Sequence, residues 1–158
     1  MATAQAIYDH FTNPVDIVEQ IATIHDWTFE RSTQDELTLT VSGTWCNYHI
    51  SLNWREDLEA LHLACAFDFK ASKLRLADIY KLMALINEQL WLGHFDLWKE
   101  DGLLLAGADT HVGQCEALLK AALEACERYY QSFQFVLWAG KSPEDALAAT
   151  LLQTQGQA

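Results

Sequence analysis

The sequence predicts an α+β fold: a mainly antiparallel sheet flanked by helices, in the order α-β-β-β-β-α-β-β-α-α. Three observations carry that expectation. Between Leu37 and Phe69, three segments alternate apolar and polar residues in succession, which implies an antiparallel meander with one buried face. From about Lys73 to Leu92, apolar residues switch to helical spacing, and a hairpin signal at Asp101-Gly102 follows. After His111, helical spacing returns and persists to about Ala139.

Taken in order, Asn13 is suited to cap a helix beginning at Pro14, with Asp16 favourable in its first turn. Val15, Val18, Ile21 and Ala22 give that helix one apolar face, and it ends near His25-Asp26. Trp27 to Arg31 alternates as a short strand, and Ser32 to Asp35 breaks it. Leu37, Leu39 and Val41 form the buried side of the next strand. Cys46, Tyr48, Ile50, Leu52 and Trp54 do so in the third, and Leu61, Leu63, Cys65, Phe67 and Phe69 in the fourth. Leu39, Ile50, Leu63 and Phe67 are expected in the core, facing the helices.

Gly43-Thr44 fits a two-residue hairpin loop, and Arg55-Glu56-Asp57 the following turn. Placing Val41 opposite Cys46 and Cys46 opposite Cys65 puts His49 across from His62. A two-residue shift of that second pair preserves the same faces, so the faces are better specified than the individual pairs. The outer face then presents Thr, Ser, Asn, His and Ala.

Leu76, Ile79, Met83, Ile86 and Leu90 mark the second helix. The chain then turns sharply at Gly93, inside the run from Leu90 to Trp98, and enters a hairpin of Phe95 to Glu100 and Leu103 to Gly107. Cys115, Leu118, Leu119, Ala122, Cys126, Tyr129, Phe133 and Val136 mark the long helix, and Gly140 is a natural stop. Ser142 and Pro143 begin a last short helix. Its narrow edge of Ala146, Leu147, Thr150 and Leu151 fits either a closing role on its own core or an interaction with a partner.

With 158 residues, 51% of them hydrophobic and eighteen of them aromatic, the chain suits one domain over 1–158, with 1–12 and 153–158 as flexible ends. A chain of that length buries roughly 70% of its unfolded surface. Its N-terminus lacks the basic start and apolar run of a secretory signal, and the longest apolar run is far short of the ~20 residues of a membrane span. A cytoplasmic location is expected. The net charge of −12 repels phosphate backbones and anionic lipids, so neither nucleic acid nor a membrane is an expected partner. Locally, Lys70, Lys73, Arg75 and Lys81 gather four of the ten cations, and they read as a solvated helix end.

The stretches Phe29-Glu30-Arg31-Ser32, Trp54-Arg55-Glu56-Asp57-Leu58, Cys65-Ala66-Phe67-Asp68, Leu90 to Trp98 and Cys126 to Asp145 resemble the bacterial sensory transduction regulators named after YbjN, in their alphaproteobacterial form. The resemblance covers most of the chain in order. It implies a fold similar to type III secretion chaperones and a dimer, and it carries over no catalytic or ligand residues. One departure from the family is a short connection, Gly107 to His111, between the hairpin and the long helix.

Chemistry-bearing residues are few. His94 and Asp96, two apart on a strand, read as a structural pair, since a metal site needs three or four convergent ligands. His49 and His62 read as surface histidines. Cys46 and Cys65 are expected inward on adjacent strands, while Cys115 and Cys126 lie roughly 16 Å apart along one helix, too far to bridge. All four read as free thiols, because no Cys-x-x-Cys motif occurs. No cofactor, metal or catalytic residue is expected.

The sequence therefore supports a non-enzymatic regulatory or chaperone-like protein-binding module, with a protein partner and a homodimer. The alternative is a small-ligand sensor with a pocket near an aromatic cluster of Trp91 and Trp98. The candidate interaction residues are His49, His62, Trp91, His94, Asp96, Trp98, Leu147 and Leu151.

Overall fold

The computed structural model describes residues 13–98, 103–110 and 115–155; the expected Asp101-Gly102 turn and the ends 1–12 and 156–158 lie outside the described residues. Among the described residues, four helices and six strands follow in the expected order: α1 (Pro14–Ile24), β1 (Thr28–Arg31), β2 (Glu36–Ser42), β3 (Asn47–Arg55), β4 (Ala60–Lys70), α2 (Leu76–Asn87), β5 (His94–Trp98), β6 (Leu103–Thr110), α3 (Cys115–Leu137) and α4 (Pro143–Gln155). A single 3-10 turn, Glu56–Leu58, joins β3 to β4. The fold is α+β. Its one sheet has the order β1-β2-β3-β4-β6-β5, with every neighbouring pair antiparallel.

The alternation read from the sequence is the alternation of burial. Leu39, Ile50 and Leu63 are fully buried and Phe67 nearly so, while the residues between them on β2, β3 and β4 are exposed or half-buried. The apolar faces of α1, α2 and α3 pack on that inner side in one continuous core. Phe67 is its centre, with Tyr48, Phe69, Phe95, Tyr130 and Phe133 all ringed around it at centroid distances of 5.7–6.2 Å.

Local chemistry fixes the element boundaries. Asn13 Oδ1 accepts from the Val15 N–H at 2.9 Å, a cap of the kind that contributes about 1 kcal/mol. Gly93 takes φ +73°, open to glycine without strain, and lets the chain reverse from α2 into β5. Asn87 secures that reversal, because its side chain donates to the Phe95 carbonyl (3.0 Å) and accepts from the Phe95 N–H (2.7 Å). Gly140 at φ +66° ends α3, and the Lys141 N–H reaches back to the Phe135 carbonyl.

Four details differ from the sequence-based expectation. The β2–β3 loop spans Gly43 to Cys46 rather than two residues, closed by a Gly43 N–H to Cys46 carbonyl bond. Helix α3 widens it: Glu127 Oε1 accepts from the Thr44 N–H at 2.7 Å, and Trp45 stacks on Tyr130. The register shifts with both connections: the Gly43–Cys46 loop puts His49 opposite Thr40, and the turn at residues 56–59 puts His49 opposite Ala66 and Cys65 opposite Ile50. Both shifts are even, so every face is kept.

Strand β6 runs on to Thr110, pairing Thr110 with Leu61. Gly107 to Thr110 are thus strand residues rather than a short connection, and His111 lies outside the described residues. Finally, α4 extends to Gln155, because no helix breaker occurs before Gly156.

Candidate functional site

The residues singled out in the sequence do not converge. His49 is on the outer sheet face, its Nδ1 3.3 Å from Thr40 Oγ1. His62 lies opposite Asn53 and Asp109, so the two histidines are not cross-strand partners; the even register shift separates them along the sheet. His94 and Asp96 are exposed on the same face of β5, but no hydrogen bond joins them among the described residues. Asp96 Oδ1 instead accepts from the Leu97 N–H at 2.7 Å. A His–Asp pair at this turn is therefore not formed.

Trp91 and Trp98 do not form one cluster either. Gly93 turns the chain between them, leaving Trp91 in the α2–β5 loop at one end of β5 and Trp98 on the outer face at the other. Trp91, 95% exposed, borders a cleft of about 160 Å³ with Gln89, Leu90, Leu92, Glu124, Arg128 and Tyr129; Trp98 has no part in it.

Leu147 is buried together with Ala146 and Thr150, where α4 packs across α2 and α3. Inside this contact the Ser132 hydroxyl donates to Thr150 Oγ1 at 2.7 Å. The edge of α4 is thus spent on its own chain, which leaves Leu147 no surface for a partner. Leu151 remains partly exposed.

All four cysteines are free thiols. Cys46 sits half-buried at the end of the β2–β3 loop, and burial followed by the nearby Asp68 carboxylate pushes its thiol up to about 11. Cys126, fully buried on α3, lies beside Cys65 on β4; burial above all, then Cys65, raises its thiol well above the ordinary range. Periodicity placed both residues inward but carried no sign of this helix-to-strand meeting. Raised thiols are poor nucleophiles. Among the described residues, no three His, Cys, Asp or Glu side chains come together as metal ligands.

What the fold does assemble is an exposed aromatic and cationic end. Trp45, Trp98 and Trp138, 44%, 56% and 65% exposed, all stand at the end of the sheet where β4 and β5 finish. On the helix side Trp45 and Trp138 belong to a continuous row, while Trp98 stands on the outer face of β5. Trp45 stacks on Tyr130 (6.2 Å), Tyr130 tilts against Phe69 (4.5 Å), and Trp138 meets Phe69 edge-on (5.1 Å). Leu74, 93% exposed, lies in the β4–α2 turn. That turn faces the α3–α4 turn, because the Arg75 guanidinium lies against Gly140.

Cations collect at the same place. Arg75 pairs with Asp78 at 3.4 Å and Lys81 with Glu144 at 2.5 Å, which neutralises half of the cluster seen in the sequence. Lys70 and Lys73 have no ion pair among the described residues, and Lys141 lies 5.1 Å from the centre of the Phe135 ring. Sequence reading singled out Lys70 and Lys73, as a solvated helix end or a small basic patch. It missed Trp45, Trp138 and Lys141, which only the packing of α3 on the sheet brings alongside.

The fold is a helix-covered antiparallel sheet with exposed tryptophans at one end. The YbjN family, described as a putative bacterial sensory transduction regulator, matches residues 14–135, well over half of the chain, and the chain belongs to that family. No curated protein and no solved structure matches the chain. The matched span takes in all six strands, with Trp45, Lys70 and Lys73, and stops short of Trp138 and Lys141.

Proposed function

We propose that this chain is a non-enzymatic regulator that acts by binding a protein. The observation that carries the reading is the end of the sheet described above, where three tryptophans and Leu74 remain in solvent although the core beside them is closely filled. Exposed apolar side chains gathered in one place mark interaction surfaces, and tryptophan is the residue most enriched among those that dominate binding energy. Membership of a regulator family fits this role. The small-ligand alternative has less support: the Trp91 cleft, at about 160 Å³, is well below the ~300–1,000 Å³ usual for ligand pockets. A second copy is a further partner on this reading, joined through the outer face at Trp98.

The test is quantitative capture from a native lysate with the wild-type chain and with a Trp45→Ser, Trp98→Ser, Trp138→Ser variant. The reading expects a defined protein set that the wild type retains and the variant loses, with the melting temperature nearly unchanged. Identical capture by both, or capture by neither, contradicts it.

A further inference from the structure

We infer that the open edge of β1 is a further interaction surface, one that takes a basic, extended segment of a partner protein as an added strand. The inference goes beyond the tryptophan end and rests on other observations, beginning with a difference between the two edges of the sheet. The Ser32 N–H to Glu36 carbonyl bond and the β1–β2 register turn the backbone groups of Thr28 and Glu30 toward β2, so the N–H and carbonyl groups of Phe29 and Arg31 point to the open side of β1. None of those four groups has a hydrogen-bond partner among the described residues. At the opposite edge, side chains cover the corresponding positions of β5. Asn87 bonds both the N–H and the carbonyl of Phe95, and Asp96 Oδ1 accepts from the Leu97 N–H. A row of open backbone groups is a template for strand addition, and such covering prevents it.

Charge selects the occupant. From Asn13 to Trp54, a span that holds α1 and most of the first three strands, Arg31 is the sole Lys or Arg, against Asp16, Glu19, Asp26, Glu30, Asp35 and Glu36. Two of these acids reach the strand itself: Arg31 Nη1 meets Asp16 Oδ1 and Glu19 Oε2, each at 2.7 Å, so two carboxylates share one guanidinium. Both stay partly exposed. Among the described residues they line a cleft of about 450 Å³ along α1, together with Gln20, Thr23 and the exposed Ile24. Glu30 is exposed on the other face of β1. An added strand lies about 4.8 Å beyond β1. Its Lys or Arg side chains meet Asp16 and Glu19 on one face or Glu30 on the other, while an apolar residue packs beside the half-buried Phe29. The same acids repel nucleic acid and anionic lipid, and a second copy would set this acidic edge against itself.

The experiment is selection of random peptides displayed on phage against the full-length chain, then anisotropy and residue-resolved hydrogen exchange by NMR with the enriched sequences as synthetic peptides. Enriched peptides should alternate Lys or Arg with Val, Ile, Phe or Tyr. In the free chain the Phe29 and Arg31 amides should exchange faster than that of Glu30, whose N–H faces β2, and the bound peptide should slow both by about tenfold or more. Methylating the peptide's backbone nitrogens at alternate residues strips the donors from one of its edges. That should weaken binding by about tenfold or more in one phase and little in the other. Affinity should fall at least about twofold in a Glu19→Gln, Glu30→Gln variant, as two exposed ion pairs of roughly 0.2–1 kcal/mol each would give. It should also weaken with added salt.

Neutral or acidic enriched peptides would overturn the inference, as would basic peptides that protect neither Phe29 nor Arg31, or that tolerate methylation in both phases. Phe29 and Arg31 amides already slow in the free chain would overturn it by showing the edge closed. Protection that grows with protein concentration alone would overturn it in favour of a second copy. If capture from lysate depends on the tryptophans while no peptide protects β1, this inference fails and the protein-binding reading at the tryptophan end stands. If peptides add to β1 while that capture fails, the reverse holds. If both fail, both are wrong.

Discussion

Tyr130 serves the core and the surface at once: its ring lies between Trp45 and Phe69, and its hydroxyl donates to Asp68 Oδ1 at 3.2 Å. Burial first, and the Asp68 carboxylate second, push that hydroxyl up from 10.0 to about 12. The Cys46 thiol rises from 9.0 to about 11 for the same two reasons. Both groups are neutral when protonated, and the folded chain holds those protons more tightly than the unfolded chain does. Their contribution to stability is therefore intact below the ordinary values and is lost as pH rises through the folded ones. The melting temperature should fall between about pH 9 and 12, and Cys46→Ser with Tyr130→Phe should flatten that fall. An equally steep fall in the double variant would contradict the assignment. At Gly43 the constraint is space, since an added Cβ would overlap the Tyr48 ring and the Glu127 carboxylate. Gly43→Ala should cost about 1–3 kcal/mol by urea denaturation, the usual range for overpacking. In the sequence, Gly43 reads only as a turn residue; its crowding comes from Tyr48 on β3 and from Glu127 on α3, and the local pattern does not contain the latter.

The elements themselves were legible because each carries its own period and its own punctuation. Asn13-Pro14, Gly93 and Gly140 do in three dimensions what their local chemistry implies. Pairings were less legible, since His49 could face His62, Ala64 or Ala66 without moving a single residue to the wrong face. The choice was made by the β3–β4 turn, where the 3-10 turn Glu56–Leu58 and Glu59 at φ +49° leave Arg55 opposite Ala60. Helix α4 shows the same limit. Its edge of Ala146, Leu147 and Thr150 was visible, but not that α2 and α3 would bury it. Leu147→Ala should therefore destabilise by about 2–5 kcal/mol, the range for a buried leucine. Removing residues from Ser142 onward should lower the melting temperature by at least ~5 °C in calorimetry. A truncated chain that melts like the full one would show that α4 contributes nothing to the fold.

For the molecule as a whole, the fold class followed from the sequence, whereas the proposed binding end did not. Trp45, Lys70, Leu74, Trp138 and Lys141 belong to three separate stretches of chain, and only the closing of α3 over the sheet gathers them. A second copy joined at Trp98 would leave the Trp45–Trp138 row free for a different partner. Light scattering at micromolar concentration should then give about twice 17.9 kDa, reduced toward 17.9 kDa by Trp98→Ser; a wild-type mass near 17.9 kDa would reject the dimer. The central claim, that this end of the sheet is where a partner protein binds, is tested most directly by site-specific photocrosslinking in cells. A benzophenone amino acid is placed at Trp138 and, as a control, at the exposed Asp57 of the turn between β3 and β4. The account predicts a discrete covalent adduct with another protein from position 138 and none from position 57. No adduct at 138, or the same adducts from both positions, would contradict it.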